Sequence, residues 1–174
     1  MISTITTTTM SSPVGELTIG ATRRGLRYVL WQRESRPIAG ALDGRDEGNE
    51  RSGAAAISEI LDATRAQLEE YFAGSRTEFE LPLDPIGTSF QLAAWQVLRT
   101  IPYGSTMSYG EQARSLGDPN KARAVGAANG RNPISIIVPC HRVVGSNGSL
   151  TGFAGGIDSK AWLLDHERRV IATG

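Results

Sequence analysis

The segment 137–144, Ile-Val-Pro-Cys-His-Arg-Val-Val, constrains the fold most, because it places reactive side chains in apolar surroundings. It carries the only cysteine and one of the two histidines of the 174-residue chain. Pro139 favours an extended conformation in the residue before it and cannot donate to a strand ladder. The apolar run 134–138 therefore predicts a buried strand that ends at Pro139 and leads into a turn carrying Cys140 and His141.

Such a turn decides whether the two side chains can cooperate. Neighbours on a regular strand point to opposite faces, which would keep the thiol of Cys140 away from the imidazole of His141. A thiolate is the nucleophilic form of cysteine, and a nearby histidine can take its proton or stabilise the anion. In a turn the pair can act directly or through a water. The alternative is an inert buried thiol beside a hydrogen-bonded turn histidine.

Composition narrows the class of protein. With 174 residues, 40% of them hydrophobic, the chain can form one domain or two small ones. It has no apolar run of membrane-spanning length, and its threonine-rich start lacks the blocks of a secretory signal, so we expect a cytoplasmic protein without membrane contact. One cysteine allows no intramolecular disulfide and no thiolate zinc cluster, and we expect neither a metal nor another cofactor.

The net charge is zero, but the charges are divided unevenly along the chain. Residues 1–84 contain nine Lys or Arg and thirteen Asp or Glu, whereas residues 85–174 contain nine and five. The second half is therefore basic and can attract phosphates while the whole protein stays neutral. A split of this size also occurs as ordinary surface variation.

The first half reads as a small α/β unit with no catalytic grouping. Alternating and β-branched residues predict an antiparallel meander, and apolar residues at helical spacing predict one helix. In chain order we predict strands at 2–10, 14–21 and 26–30, a surface loop at 34–53, a helix from Ala54 to Phe72 that Gly74 ends, and a short edge strand at 79–83.

The second half reads as mainly helical, and we predict a domain boundary between residues 84 and 85. Two short helices joined by a tight turn form a helix-turn-helix pattern, although many such pairs are only packing units. The second of them is lined by small residues and can approach another surface closely. The predicted helices are 89–100 with Thr88 as cap, 108–116, 121–129 with Asn120 as cap, and 158–170.

Glu167 is an anomaly in the last helix. At 100° per residue, it falls in the middle of an apolar stripe formed by Leu163, Leu164, Val170 and Ile171. An acid there destabilises the fold unless it is paired or hydrogen-bonded. It could pair with an arginine or orient a histidine. His166 points away from the stripe and is predicted to lie on the surface.

Several spaced motifs, from about Gly87 to Glu167, resemble those of the alkylguanine-DNA alkyltransferases, also called methylated-DNA–protein-cysteine methyltransferases. Residues 1–86 resemble that family only loosely. The motifs are Ile101-Pro102-Tyr103-Gly104, Ser108-Tyr109-Gly110, Arg123-Ala124-Val125-Gly126, Asn132-Pro133, Pro139-Cys140-His141-Arg142-Val143, Gly152 to Gly156 and Trp162-Leu163-Leu164 followed by Glu167.

The resemblance implies an α+β fold, with a small ribonuclease-H-like α/β domain at 1–84 and a mainly helical domain at 85–174 that contains the helix-turn-helix and the cysteine turn. It implies single-turnover transfer of the alkyl group of 6-O-methylguanine, and secondarily of 4-O-methylthymine, to Cys140. Glu167 would hold His141, which would deprotonate Cys140 through a water, while Asn132 would tie the turn to the active-site strand.

The resemblance also implies how DNA is bound and how the base leaves the duplex. The partner would be double-stranded DNA, entered through the minor groove with little sequence preference, by a monomer; cooperative binding stays open. Tyr109 would rotate the nucleotide and Arg123 would fill the gap, on a helix whose small residues are Ala122, Ala124 and Gly126. The substrate pocket would comprise Tyr109, Val143, Phe153, Ala154 and Gly155.

This sequence departs from many relatives in having Phe153 where they have tyrosine, and from some in having Ala154 where they have serine. Three other classes compete with this interpretation. A lesion-binding protein without transfer would lack the cysteine, and a cysteine hydrolase normally takes its histidine from a distant segment. A helix-turn-helix regulator would need a helix with more base-reading side chains.

Overall fold

The computed structural model describes residues 4–32 and 50–174. The chain divides into two compact units, Met1–Ile86 and Gly87–Gly174. Among the described residues, no helix has the length and apolar character needed to cross a bilayer.

The first unit is a three-stranded antiparallel sheet with one helix packed on it. The strands β1 (Thr6–Met10), β2 (Leu17–Thr22) and β3 (Gly25–Trp31) pair in sequence order, which confirms the predicted meander. The helix α1 (Glu50–Ala73) ends before Gly74. Gly74 has a φ of 81°, a left-handed conformation that glycine adopts easily because it has no β-carbon.

The helix α1 begins four residues before the predicted start at Ala54. The end of the predicted surface loop at 34–53 is therefore helical, and the part of it at 34–49 lies outside the described residues.

The predicted strand at 79–83 is wrong. Only Leu83 forms a bridge, with Leu26 of β3. The N–H of Leu26 donates to the carbonyl of Pro82 (2.8 Å), and the N–H of Asp84 donates to the carbonyl of Leu26 (2.8 Å). Because Pro82 has no N–H, the chain cannot extend this contact into a ladder.

The second unit is built from four helices, which bear out the mainly helical prediction. They are α2 (Ser89–Leu98), α3 (Tyr109–Ser115), α4 (Ala122–Gly130) and α5 (Ile157–Thr173). A short parallel pair, β4 (Met107–Ser108) with β5 (Val143–Val144), joins the start of α3 to the segment after the cysteine.

Two helices of this unit begin at reciprocal capping boxes. Thr88 exchanges hydrogen bonds with Gln91 at the start of α2, and Ser108 does so with Glu111 at the start of α3. The predicted cap at Asn120 is wrong, because Asp118 accepts from the N–H of Asn120 and caps a short 3₁₀ turn before α4.

In the apolar run 134–138, Ile134 forms only an isolated bridge, residues 135–137 form a turn and Val138 lies in a bend, so the predicted buried strand is wrong. The N–H of Val138 donates to the carbonyl of Ile134 (3.0 Å), so the segment forms a backbone hydrogen bond with itself. Ile136 has a φ of 72°. Asn132 stabilises the turn, since its Nδ2 donates to the carbonyl of Val138 (2.8 Å) and its Oδ1 accepts from the N–H of Ile134 (3.0 Å). The side chain of Asn132 thus replaces the partner that a neighbouring strand would supply.

The apolar stripe of α5 is shorter than predicted. Leu163, Leu164 and Glu167 are buried, but Ile171 is 53% exposed. The surface position predicted for His166 is also wrong, because the imidazole is buried and stacks on Trp162 with 4.8 Å between ring centroids.

We expect Asn132→Ala to lower the free energy of unfolding by about 2–4 kcal/mol, because it leaves buried backbone groups without partners. The matched control is Asn147→Ala, which also removes an asparagine that accepts from the N–H two residues ahead, but in an exposed turn. Urea denaturation measures both variants. An equal loss in the two would show that the buried turn does not depend on Asn132.

Candidate active site

Cys140 begins a 3₁₀ turn that comprises Cys140–Arg142 and follows Pro139 directly. This confirms the predicted turn, although the segment before it is not a strand. Cys140 is 8% exposed and His141 is fully buried. A single tight turn therefore carries a thiol, an imidazole and a guanidinium, all of them nearly removed from water.

The carboxylate of Glu167 is the point where these side chains meet. Its Oε2 lies 2.6 Å from His141 Nε2, and its Oε1 accepts from Arg142 Nε at 2.8 Å. Its Oε1 also accepts from the N–H of Gly104 at 3.0 Å, and Arg142 Nη1 donates to the carbonyl of Ile101 at 2.8 Å. Glu167 therefore both orients the histidine and pairs with an arginine, which combines the two predicted alternatives.

The environment fixes the charges of this group. Burial raises the pKa of the Glu167 carboxyl, but the hydrogen bonds from His141 and Arg142 and the charge of Arg142 outweigh burial and bring the pKa far below its usual range. Burial also lowers the pKa of His141, and the hydrogen bond and charge of Glu167 oppose that effect only in part. Glu167 is thus an anion, and the resting imidazole is neutral.

The second ring nitrogen of His141 is available for chemistry. Because Nε2 faces a carboxylate, the neutral ring carries its proton there and leaves a lone pair on Nδ1. Within the described parts of the chain, Nδ1 is buried and has no hydrogen-bond partner. A buried acceptor of this kind is normally satisfied by a water, and a water bound there would link it to nearby groups.

A pocket opens beside the cysteine. Three of the predicted pocket residues, Tyr109, Phe153 and Ala154, line it together with Cys140. Val143 and Gly155 are buried and do not line it. The other lining residues are Asn129, Gly130, Asn132, Ser135 and Gly152.

Of the predicted DNA-contacting residues, Tyr109 lies on α3 and lines the pocket, whereas the other four lie on α4 and do not line it. Arg123 and Ala124 are exposed, and Ala122 and Gly126 are half-buried. Gly126 faces the ring of Tyr109, since a β-carbon added at Gly126 would lie 3.6 Å from Tyr109 Cε1.

Two buried cations of the second unit have contacts that the sequence does not predict. Arg142 belongs to the motif that contains Cys140, but the sequence separation between Arg142 and Glu167 gives no indication that the two form an ion pair. Lys160 is 1% exposed, and its Nζ donates to the carbonyls of Val143 (2.6 Å) and Thr151 (3.1 Å). Its position seven residues before Glu167, on the same helix face, was a signal that could have revealed it.

The fold and the site together define a class: a two-unit protein in which a buried thiol, supported by histidine and carboxylate, adjoins a helix-turn-helix. Family models for 6-O-methylguanine DNA methyltransferase match both halves, the ribonuclease-like domain at residues 5–85 and the DNA binding domain at residues 89–169. The chain belongs to the 6-O-methylguanine DNA methyltransferase family.

Known proteins resemble the chain over nearly its whole length. Methylated-DNA--protein-cysteine methyltransferase of Methanosarcina acetivorans is 46% identical, over 90% of this chain and 94% of that one. The Shigella flexneri protein of the same name is 48% identical, over 91% and 92%. The crystal structure of Mycobacterium tuberculosis O6-methylguanine methyltransferase superposes with a TM-score of 0.80 at 42% identity, covering 95% and 94%.

We expect the free energy of unfolding to fall as the pH drops below about 6.5, the pKa of an unperturbed histidine. The pKa of His141 is lowered in the folded protein, so below pH 6.5 the unfolded chain binds a proton that the folded protein does not. The stabilisation is complete above that pH and is lost in acid. The pKa of the Glu167 carboxyl is also lowered in the folded protein, so the free energy of unfolding falls further once the pH drops below the pKa of a glutamate in the unfolded chain.

Urea denaturation at pH 5 and pH 7 measures this dependence. His141→Gln should have a smaller pH slope than wild type, whereas the control Asn147→Ala, at an exposed position without a titratable group, should keep the wild-type slope. An unchanged slope in His141→Gln would contradict the assignment of a neutral, buried His141.

Proposed function

We propose that this protein repairs alkylated DNA by transferring the alkyl group of 6-O-methylguanine irreversibly to Cys140. The observation that carries the proposal is the buried Cys140 next to His141 and Glu167 in the unit that matches the family's DNA binding domain. The names of the relatives describe transfer from methylated DNA to a protein cysteine. We propose 4-O-methylthymine as a second substrate, and residues 1–84 and 85–174 as the two functional domains.

In the proposed mechanism, His141 Nδ1 takes the thiol proton of Cys140 through a water. The thiolate attacks the carbon on the guanine 6-oxygen, an S–C bond forms, and the C–O bond breaks with its electron pair on oxygen. The guanine anion then takes up the proton held by His141, through water, so that the products are neutral guanine, the thioether and neutral His141. The thioether is not cleaved by water, which makes the reaction single-use.

Glu167 supports the charged intermediate of this relay. Proton transfer places a positive charge on the fully buried His141, and the carboxylate 2.6 Å away compensates for it. Arg142 keeps the carboxylate ionised and fixes its direction. We assign Asn132 the role of holding the cysteine turn in place.

We propose that α4 enters the minor groove of double-stranded DNA as part of a monomer, with little sequence preference. The small residues Ala122, Ala124 and Gly126 permit a close approach, and they offer few groups that distinguish bases. Tyr109 rotates the nucleotide and exposed Arg123 fills the gap in the stack. The crystal structure of M. tuberculosis OGT in complex with DNA, 43% identical to this chain with a TM-score of 0.79, supports DNA as the partner.

The flipped guanine would occupy the pocket beside Cys140. Phe153 can stack on the base, and the backbone of Cys140, Val143 and Ala154 offers polar groups. The carbonyl of Val143, which accepts from Lys160 Nζ, lies outside the pocket lining and would contact the base only after a local movement. Buried Gly155 lets the loop pass close over the base.

Incubation with a duplex containing 6-O-methylguanine should add one methyl group to Cys140, as mass spectrometry of the peptide would reveal. Cys140→Ala should abolish transfer but still bind the lesion duplex, because the residue acts in chemistry more than in docking. An unmethylated duplex is the control. Methyl transfer by Cys140→Ala, or a methyl group on another residue of the wild type, would refute the proposal.

His141→Ala and Glu167→Gln should each slow transfer by about 10²-fold or more, with much smaller effects on DNA affinity, because they support one proton transfer. Single-turnover rates of the double variant should be close to those of the slower single variant. Multiplicative losses would mean that the two residues act separately.

Arg123→Ala should slow repair of duplex DNA by about 10-fold or more relative to reaction with free 6-O-methylguanine, which needs no extrusion. The matched control is Arg24→Ala, which removes an exposed arginine from the turn between β2 and β3. Equal losses of Arg123→Ala on both substrates would assign the residue another role.

A further inference from the structure

A reciprocal pair of amide side chains is buried between α3 and α4, and the proposed mechanism makes no use of it. Gln112 Nε2 donates to Asn129 Oδ1 at 2.9 Å, and Asn129 Nδ2 donates back to Gln112 Oε1 at 2.7 Å. Gln112 is completely buried and Asn129 is 8% exposed. Both amides are therefore satisfied mainly by each other, inside the helix-turn-helix.

The pair lies one helical turn from the residues proposed to extrude the base. Tyr109 precedes Gln112 by three residues on α3, and Gly126 precedes Asn129 by three residues on α4. Tyr109 and Gly126 face each other, as do Gln112 and Asn129, so the two helices touch at two successive levels. Arg123 precedes Gly126 by three residues, so it lies one further helical turn toward the start of α4.

The pair is also fixed to a third helix. Gln112 Nε2 donates to the carbonyl of Ala94 at 3.1 Å, and Trp95 Nε1 donates to the carbonyl of Ala128 at 2.8 Å. These bonds attach the middle of α3 and the end of α4 to neighbouring residues of α2. A sliding movement of α3 along α4 would break several buried hydrogen bonds together.

An apolar contact at this place would stabilise the two helices without fixing their register. Apolar side chains tolerate small shifts, whereas two amides that each donate and accept meet in one geometry, and a misplaced buried amide loses its partners and destabilises the fold. Selection of one register is the best-attested use of buried polar groups.

We infer that Gln112 and Asn129 are positioning residues that hold α3 and α4 in the one register in which Tyr109 and Arg123 act on the same nucleotide. This inference rests on the proposed function. It concerns base extrusion and leaves the chemistry at Cys140 as described.

The test replaces both amides by apolar side chains, in Gln112→Met/Asn129→Met, which leaves neither amide without its partner. We measure single-turnover transfer from duplex 6-O-methylguanine and from the free base, below the melting temperature of each variant. The ratio of the duplex rate to the free-base rate should fall about tenfold, because displacements near 1 Å have such effects on positioned groups. Asn129 also lines the pocket, but that affects both substrates and cancels in the ratio.

The exchanged variant Gln112→Asn/Asn129→Gln is the control, since it keeps two amides and the summed length of the side chains. Its ratio should stay within about threefold of wild type. Fluorescence of 2-aminopurine next to the lesion, read in a Cys140→Ala background, should show less unstacking with the methionine pair than with the exchanged pair. If the methionine pair does not fold, Gln112→Met/Asn129→Leu, which also removes both amides, takes its place under the same criteria.

A wild-type ratio in the methionine pair, or equal ratios in the methionine and exchanged pairs, would overturn the inference. If the proposed function were wrong, the wild-type protein itself would not transfer a methyl group from the duplex to Cys140, so the two failures are distinguishable.

Discussion

The buried carboxylate of Glu167 is the interaction on which the rest of the site depends. It is fully buried and joins three segments distant in sequence: α5, the cysteine turn and the backbone at Gly104. An isolated carboxylate in such a place would be strongly destabilising, so each partner is needed to compensate for its charge. Removing one partner leaves a charge without compensation, which couples the stability of the second unit to the geometry of its reactive residues.

The same carboxylate explains why the reactive turn has its shape. His141 and Arg142 are neighbours, and both must reach Glu167, which a regular strand would prevent by pointing them to opposite faces. The 3₁₀ turn at Cys140–Arg142 resolves this conflict, and Asn132 stabilises the turns that precede it. The apolar segment before the cysteine therefore does not form the hydrogen bonds of a strand with a neighbouring strand.

Local signals predicted much of the fold. Thr88 and Gly74 mark helix ends where the structure has them, and an acid within an apolar stripe indicated that Glu167 needs a buried partner, either an arginine or a histidine. These predictions depend on interactions within one element or on the cost of burying a charge. Both can be read from the order of residues.

Contacts between distant segments could not be predicted in this way. The apolar run 134–138 fits a buried strand and a buried turn equally well, and the choice depends on the side chain of Asn132. His166 lies off the apolar stripe, yet it is buried because Trp162 stacks on it. Gln112 looks like an ordinary polar helix residue until Asn129 is placed opposite to it.

The central claim is that Glu167, acting through His141, favours the thiolate of Cys140. Its most direct test is the pH dependence of Cys140 alkylation by iodoacetamide, in wild type, in Glu167→Gln and in Asp165→Asn, an acid-to-amide control at an exposed position of the same helix. We expect Glu167→Gln to need a higher pH to reach half of its maximal rate, because His141 loses the carboxylate that stabilises its charged form, while Asp165→Asn follows wild type. The same half-maximal pH in all three proteins would contradict it.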